Sequence, residues 1–111
     1  MGLDQYAFSK KDDNSDEKVE LMYWRKHANL EGWMANLYHA RGGEGDFNCV
    51  NLQLFRKDIE KLEKEYLDFD TAEGFFWGKS YPEHNGDTLT FIRLAYEAID
   101  SGNQVIYTSW W

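Results

Sequence analysis

Cysteine is almost absent from the sequence, which holds only Cys49. A lone cysteine excludes an internal disulfide and is typical of a chain that folds in a reducing compartment, while an intermolecular bridge stays open. Long apolar runs are also missing: no stretch of about 18 apolar residues occurs, and no basic start precedes an apolar segment. We therefore expect neither a membrane span nor a signal peptide, and we predict a cytoplasmic protein without a membrane partner.

Basic residues are scarce as well. Twelve Lys and Arg stand against twenty Asp and Glu, which gives a formal net charge of −8. A nucleic-acid polymer would meet net repulsion from this chain, because the basic patch that supplies phosphate affinity is missing. The acidic balance instead favours basic partners.

Apolar side chains are plentiful, at 42% of the residues, and aromatic ones reach 17%. This apolar area is enough to outweigh the entropy of ordering the chain, which argues against intrinsic disorder. A length of 111 residues allows one domain with a modest core. We predict a single domain over residues 1–111, in which "KKDDNSDE" at 10–17 is a solvated loop because it has no apolar side chain.

The spacing of apolar residues predicts the order of the secondary structure. Alternation with period two predicts strands at about 1–8, 19–23, 48–54 and 104–111. Helical spacing predicts a first helix from Asn29 to the Gly42-Gly43 pair, a second over 56–66, and a third that Asp87 or Thr88 caps. The order ββα, βα, loop, αβ predicts an α+β domain with about four mostly antiparallel strands and about three helices packed on one face.

Several short motifs give the chain a resemblance to a known family. They are "MGLD" at the start, "YWRK" at 23–26 followed by an Asn and a Trp, "GFFWG" at 74–78 and "YTSWW" at the end. This pattern resembles a family of small bacterial and bacteriophage proteins with no settled biochemical activity. Occurrence in bacteriophages implies a modulator of a host protein, acting in the host cytoplasm. Many relatives have His where this chain has Glu31, so a role that needs a histidine there is in doubt.

The name phosphoglycerate kinase, sometimes given to such relatives, does not fit this sequence. That enzyme needs two lobes that bind nucleotide and substrate, whereas 111 residues form one domain. The sequence also offers no glycine loop that would cradle a phosphate. We reject this activity for the chain.

"YWRK" places two cations beside a large ring at a predicted strand-to-helix junction. Arg25, Lys26 and Asn29 are candidates for a site that binds a small anion or a partner's carboxylate, with the free amides of the first helical turn. The alternative is that Arg25 pairs with Asp4 or a nearby Glu while Trp24 fills the core.

"GFFWG" and the final "SWW" gather more aromatic surface than a core of this size needs. Either these rings are packed between two covered faces of the sheet, or one face presents an aromatic patch that a partner covers. Because Trp, Tyr and Arg dominate binding hot spots, the patch interpretation assigns binding to these rings and to the cations near them. The candidate binding residues are Trp24, Arg25, Lys26, Asn29, Phe76, Trp77, Trp110 and Trp111.

Metal and nucleophile chemistry receive weaker support. His27 and Glu31 are four residues apart and could share a metal with a third ligand such as His39 or His84, but such a pair is more often a surface His beside a carboxylate. Cys49 is interpreted as a small buried hydrophobe, not as a nucleophile. We predict no cofactor and no catalytic residue.

Two functions from different classes remain open. The first is a non-catalytic, acidic accessory protein that binds a partner protein; a symmetric patch would also allow a homodimer. The second is a small-ligand or nucleotide-binding protein, which as a small enzyme would use Arg25, Lys26 and His27 with an aromatic wall. A flat exposed aromatic patch favours the first, and a concave pocket with convergent polar groups favours the second.

Overall fold

The structure of the chain is a computed structural model that describes residues 3–12, 14, 17–25, 27–66 and 84–111. The elements are β1 (Asp4–Lys10), β2 (Val19–Arg25), α1 (Ala28–Ala40), β3 (Leu52–Leu54), α2 (Arg56–Glu65), α3 (His84–Asp100) and β4 (Gln104–Trp110). The strands form one sheet in the order β2-β1-β4-β3, and every pairing is antiparallel. This architecture confirms the prediction of a small, single α+β domain.

The sheet has an inner face that carries the core and an outer face. Alternate residues of the strands, such as Ala7, Trp24 and Tyr107, point inward because successive side chains of a strand lie on opposite faces. The helices cover this inner face with Leu30 and Met34 of α1 and with residues of α2 and α3. Aromatic contacts unite the layers: the rings of Trp24 and Phe91 meet edge to face with centroids 5.3 Å apart.

The helices begin and end where local chemistry supplies partners for their free backbone groups. Gly42 follows α1 with φ 89°, a left-handed angle that suits glycine, and its N–H donates to the carbonyl of His39. At the start of α2, the carboxylate of Asp58 accepts the N–H of Phe55 at 2.8 Å and also pairs with Arg41. Asp58 therefore fastens the end of α1 to the start of α2.

Strand β2 contains an irregularity that shapes the edge of the sheet. The register shifts between Ala7 and Phe8, so that Ala7 pairs with Met22 while Phe8 pairs with Glu20, leaving Leu21 without a partner residue in β1. Leu21 and Met22 both pack against the core. Such a bulge twists an edge strand and hinders pairing with another chain.

Several element boundaries differ from the sequence prediction, and β2 extends to Arg25 instead of ending at residue 23. Strand β1 begins at Asp4 and continues to Lys10, and β3 covers only Leu52–Leu54 instead of 48–54. The shorter β3 follows from Cys49, whose φ of 60° interrupts extended backbone. Helix α3 begins at His84, before the predicted caps; Asp87 lies within its first turn, where a carboxylate is also favourable because of the helix dipole.

None of the described helices combines the length and the apolar character that a bilayer span requires. Residues 1, 2, 13, 15, 16, 26 and 67–83 lie outside the described chain. The predicted "GFFWG" segment at 74–78 belongs to this set, as do parts of the predicted loop at 10–17. The described residues between β1 and β2, such as Lys11, Asp12 and Asn14, are exposed.

Candidate functional site

Side chains of three adjacent strands meet at one end of the outer face. Register places Arg25 of β2 and Trp110 of β4 on either side of Asp4 in β1, and it places Tyr23 beside Tyr6 in the next row. Residues opposite one another in an antiparallel pair have their side chains on the same face, within reach of each other. We call this group the outer-face cluster; its members are Asp4, Tyr6, Tyr23, Arg25 and Trp110.

The aromatic rings of the outer-face cluster are contiguous and open to solvent. The ring of Tyr6 lies between the other two, with centroid distances of 5.2 Å to Tyr23 and 6.2 Å to Trp110. Trp110 is 57% exposed and Tyr23 is 42% exposed, while Tyr6 is half-buried. Large aromatic rings stabilise a fold or a complex most when they are buried. Rings that are exposed together are therefore suited to contact another molecule.

The charged members of the cluster, Asp4 and Arg25, lie in the row beside the middle ring. The hydroxyl of Tyr23 donates to Asp4 Oδ1 at 2.7 Å, and this hydrogen bond raises the pKa of Tyr23 above its usual value of 10. The Nε atom of Arg25 lies 4.0 Å from the same oxygen, and the Arg25 side chain is 63% exposed. An ion pair that is this long and this exposed contributes little to stability, so Arg25 remains accessible to a partner.

A buried polar network lies behind the cluster, on the inner face of the same strand ends. Its centre is Glu31 of α1, which has no exposed surface. The hydroxyl of Tyr107 donates to Glu31 Oε1 at 2.6 Å, and that of Ser109 donates to Oε2 at 2.8 Å. Gln5 Nε2 donates in turn to the Tyr107 oxygen at 2.8 Å. Two strands and one helix are thus joined by hydrogen bonds inside the core.

The same network perturbs two ionisable groups. Burial raises the pKa of Glu31 to about 7, although the hydrogen bonds from Tyr107 and Ser109 oppose the shift. Burial and the adjacent Glu31 carboxylate raise the pKa of Tyr107 well above its usual value. Tyr107 therefore stays protonated and acts as a donor to Glu31 at every pH near neutrality.

Gln5 also fixes the start of α1 against β1. Its Oε1 accepts the backbone N–H of His27 at 2.8 Å, and its Nε2 donates to the carbonyl of the same residue at 3.0 Å. The ring of His27 lies 3.0 Å from the Thr88 hydroxyl, which extends the network to α3. Since Gln5 lies between Asp4 and Tyr6, these buried contacts hold the strand that carries the outer-face cluster.

A second set of contacts fixes the chain beside Trp110. The side chain of Asn48 accepts the backbone N–H of Trp111 at 3.0 Å and donates to its carbonyl at 2.9 Å. The indole N–H of Trp111 donates to the carbonyl of Phe47 at 2.8 Å. Trp111 is therefore anchored to the loop before β3, whereas Trp110 points to solvent.

The structure places the predicted binding residues in several different environments. Arg25 and Trp110 meet in the outer-face cluster, but Trp24 is 2% exposed in the core and offers no surface for a partner. Asn29 is half-buried in the first turn of α1. The remaining candidates, Lys26, Phe76 and Trp77, lie outside the described residues, so the anion site that includes Lys26 stays a prediction.

The sequence-based interpretation of His27 and Glu31 as a surface pair is wrong. Both side chains are buried, since Glu31 meets the inner face of the sheet and His27 packs at the start of α1 against Thr88. In the ranges that the structure describes, no group of three or more His, Cys, Asp or Glu side chains could hold a metal ion. Arg25 is exposed while His27 is buried, so these two side chains form no common ligand wall.

Cys49 is exposed, which corrects its interpretation as a buried hydrophobe. The bend at residues 48–49 turns its side chain away from the core, while its backbone N–H donates to the carbonyl of Ser109 at 2.7 Å. Its Sγ lies 3.5 Å from the Asn48 side-chain oxygen.

Sequence reasoning left Tyr6 and Tyr23 out of the candidate set. The signal was present in the alternation, because Tyr23 and Arg25 share a strand face, as do Asp4 and Tyr6. Alternation within one strand does not show which residues of the neighbouring strand lie opposite it. The polar network was missed for the same reason: Glu31 and Tyr107 are 76 positions apart.

Comparison of the chain with protein-family models, with curated proteins and with solved structures gave no match.

Proposed function

We propose that this chain is a non-catalytic, acidic accessory protein that binds a partner protein through the outer-face cluster. The observation that carries the proposal is the contiguous set of exposed rings of Tyr23, Tyr6 and Trp110 beside Arg25. Trp, Tyr and Arg are the residues enriched at the energetic centres of protein interfaces. The cluster lies on the outer face of three adjacent strands, and a sheet surface of this kind favours protein binding over a concave ligand site.

Rigidity supports the same function. The rings project from three hydrogen-bonded strands. On the opposite face, Gln5 of β1 bonds to His27 before α1, and Tyr107 of β4 bonds to Glu31 of α1. A surface that is already ordered loses little conformational entropy when a partner binds. The cluster is therefore preorganised for binding.

The edges of the sheet are less suited to a partner than its outer face. Strand β2 has the bulge at Leu21, and β3, at the other edge, has only the three residues Leu52–Leu54. Bulged and short edge strands give few consecutive backbone groups to an added strand. We therefore place the contact on the side chains of the outer face and not on the strand edges.

The resemblance to small bacteriophage proteins extends this proposal to a role in modulating a host protein. The net charge of −8 supports a partner with a basic surface, because complementary charge accelerates encounter.

The test is affinity purification of the tagged protein from host cells, followed by a binding measurement with the purified partner. Trp110→Ala and Arg25→Ala remove exposed side chains of the cluster, and Phe55→Ala removes a ring that is 48% exposed elsewhere on the surface. We expect Trp110→Ala to weaken binding by at least about tenfold, as for a hot-spot residue, and Phe55→Ala to leave it unchanged.

Circular dichroism establishes that each variant is folded before binding is compared. Equal affinities of the wild type and of Trp110→Ala for the partner would refute the proposed surface. An equal loss in Phe55→Ala would do the same, because the effect would then not be specific to the outer face.

A further inference from the structure

We infer that the outer-face cluster binds an arginine side chain in a basic segment of the partner, with the guanidinium against the ring of Trp110 and near the Asp4 carboxylate. This inference rests on the proposed function and names the chemical group that the surface recognises. The first support comes from contacts between cations and aromatic rings elsewhere on the protein.

Elsewhere on the protein, the chain places its own cations over aromatic rings, of which Phe8 is buried and Phe55 is exposed. The distances from the cation to the ring centroid are 4.8, 5.2 and 5.7 Å, for Lys18 over Phe8, Arg41 over Phe55 and Arg56 over Tyr96. Each arrangement has the geometry of a cation–π contact. In the part of the chain that the structure describes, no Lys or Arg lies over the rings of the outer-face cluster in this way.

Asp4 gives the cluster a negative charge at its centre. One of its oxygens, Oδ1, accepts from Tyr23, whereas no described residue donates a hydrogen bond to Oδ2. Asp4 is opposite Trp110 in the register, so this carboxylate and the exposed indole are neighbours. A guanidinium that stacks on the indole can therefore also donate to the carboxylate, which adds a charge-assisted hydrogen bond.

Arg25 indicates that a guanidinium can approach this carboxylate. Its Nε is 4.0 Å from Asp4 Oδ1, yet its side chain is 63% exposed, so the contact is loose. An incoming arginine can approach from the Trp110 side while Arg25 remains at the opposite side of Asp4. Arg25 and Trp110 both lie opposite Asp4, in the same row of the sheet.

Within the cluster the charges of Asp4 and Arg25 offset each other, so the overall charge of the chain and the rings favour a cationic ligand. The excess of eight negative charges repels anions and concentrates cations near the surface. Aromatic faces carry negative electrostatic potential, which again favours a cation. Arginine suits the site better than lysine, because the planar guanidinium stacks on a ring and is more weakly hydrated than an ammonium group.

The test is a titration of the isotope-labelled protein, followed by NMR, with a short glycine peptide that contains two arginines. A matched peptide replaces both arginines with citrulline, which has nearly the same shape but no charge. We expect the arginine peptide to shift the signals of the outer-face strands and the indole N–H of Trp110. The citrulline peptide should bind at least about fivefold more weakly, since it lacks the cation–π and ionic contacts.

Variants identify the site. Trp110→Ala and Asp4→Asn should each reduce the affinity for the arginine peptide, by about fivefold for the ring and by about twofold or more for the charge. Phe55→Ala should leave it unchanged, although Phe55 is another exposed ring. Two variants of different chemistry keep the test informative should one of them perturb the fold.

The peptide experiment would overturn the inference if the citrulline peptide bound equally, if the signal shifts were confined to another face, or if no binding occurred at millimolar peptide. A Trp110-dependent dimer in sedimentation would also overturn it, because a second copy would then occupy the cluster. If the purified partner still requires Trp110 while the two peptides bind equally, the proposed function stands and only the arginine assignment fails. If the partner does not require Trp110, the proposed function itself fails.

Discussion

Replacing Glu31 by Gln should stabilise the protein in a manner that depends on pH. The carboxyl of Glu31 is fully buried, and its pKa is raised from 4.5 to about 7 in the folded protein. Gln has almost the same shape, so its carbonyl can accept from Tyr107 and its amide can donate to the Ser109 hydroxyl, which is able to reverse its role. The variant therefore keeps the two contacts and removes only the ionisation.

The direction of the effect follows from proton binding. Between pH 4.5 and about 7 the folded protein holds a proton on Glu31 that the unfolded chain releases. The wild type therefore loses stability as the pH rises through this window, and the loss is complete above it. The whole shift corresponds to about 3 kcal/mol, and about 2 kcal/mol of it falls between pH 5.5 and 8.5.

The measurement is urea denaturation of both proteins at several pH values, followed by circular dichroism. We expect the advantage of Glu31→Gln in free energy of unfolding to grow by about 2 kcal/mol from pH 5.5 to 8.5. Glu97→Gln, at an exposed position of α3, is the matched control for exchanging a carboxylate with an amide. All other ionisable groups, including His27, are the same in the compared proteins.

A difference between Glu31→Gln and the wild type that does not change with pH would refute the reasoning. Glu31 would then ionise at its ordinary pKa in the folded protein, and burial would not dominate the hydrogen bonds from Tyr107 and Ser109. A destabilisation by Glu31→Gln at pH 8.5 would show instead that the charged hydrogen bonds outweigh the cost of burial.

Two further predictions concern other buried polar groups. Asp58→Ala should lower the free energy of unfolding by about 2–4 kcal/mol in urea denaturation. The substitution removes the partner of the Phe55 N–H and leaves Arg41 without its carboxylate. A loss below about 0.5 kcal/mol would contradict this role of Asp58. Trp24→Phe should cost less than about 1.5 kcal/mol by the same assay, since among the described residues the buried indole N–H has no hydrogen-bond partner and its removal offsets part of the lost packing; a loss above about 3 kcal/mol would contradict that offset.

The fold class followed from the sequence because each signal for it is local. Leu30 and Met34 are one helical turn apart and both are buried in α1. Val105 and Tyr107 are two residues apart in β4, and both reach the core. Such spacing reports which side of an element is apolar, whatever the element packs against, so the helices and strands could be located without tertiary information.

The exact ends of the elements and the burial of individual residues were harder to predict from the sequence. Cys49 carries a side chain that is common in cores, yet its positive φ and the bend beside it turn it outward. Asp87 has the chemistry of a helix cap but lies inside the first turn of α3. In each case the residue type allows two environments, and neighbouring segments choose between them.

The sequence alone determined that this chain is a single, acidic α+β domain, because composition and short-range periodicity are properties of neighbouring residues. Only the tertiary structure decided that Tyr6, Tyr23 and Trp110 form one exposed surface, and that Glu31 is buried against Tyr107. Both groups depend on strand order and register, which bring together residues far apart along the chain. Register results from the packing of the whole core, and no local pattern specifies it.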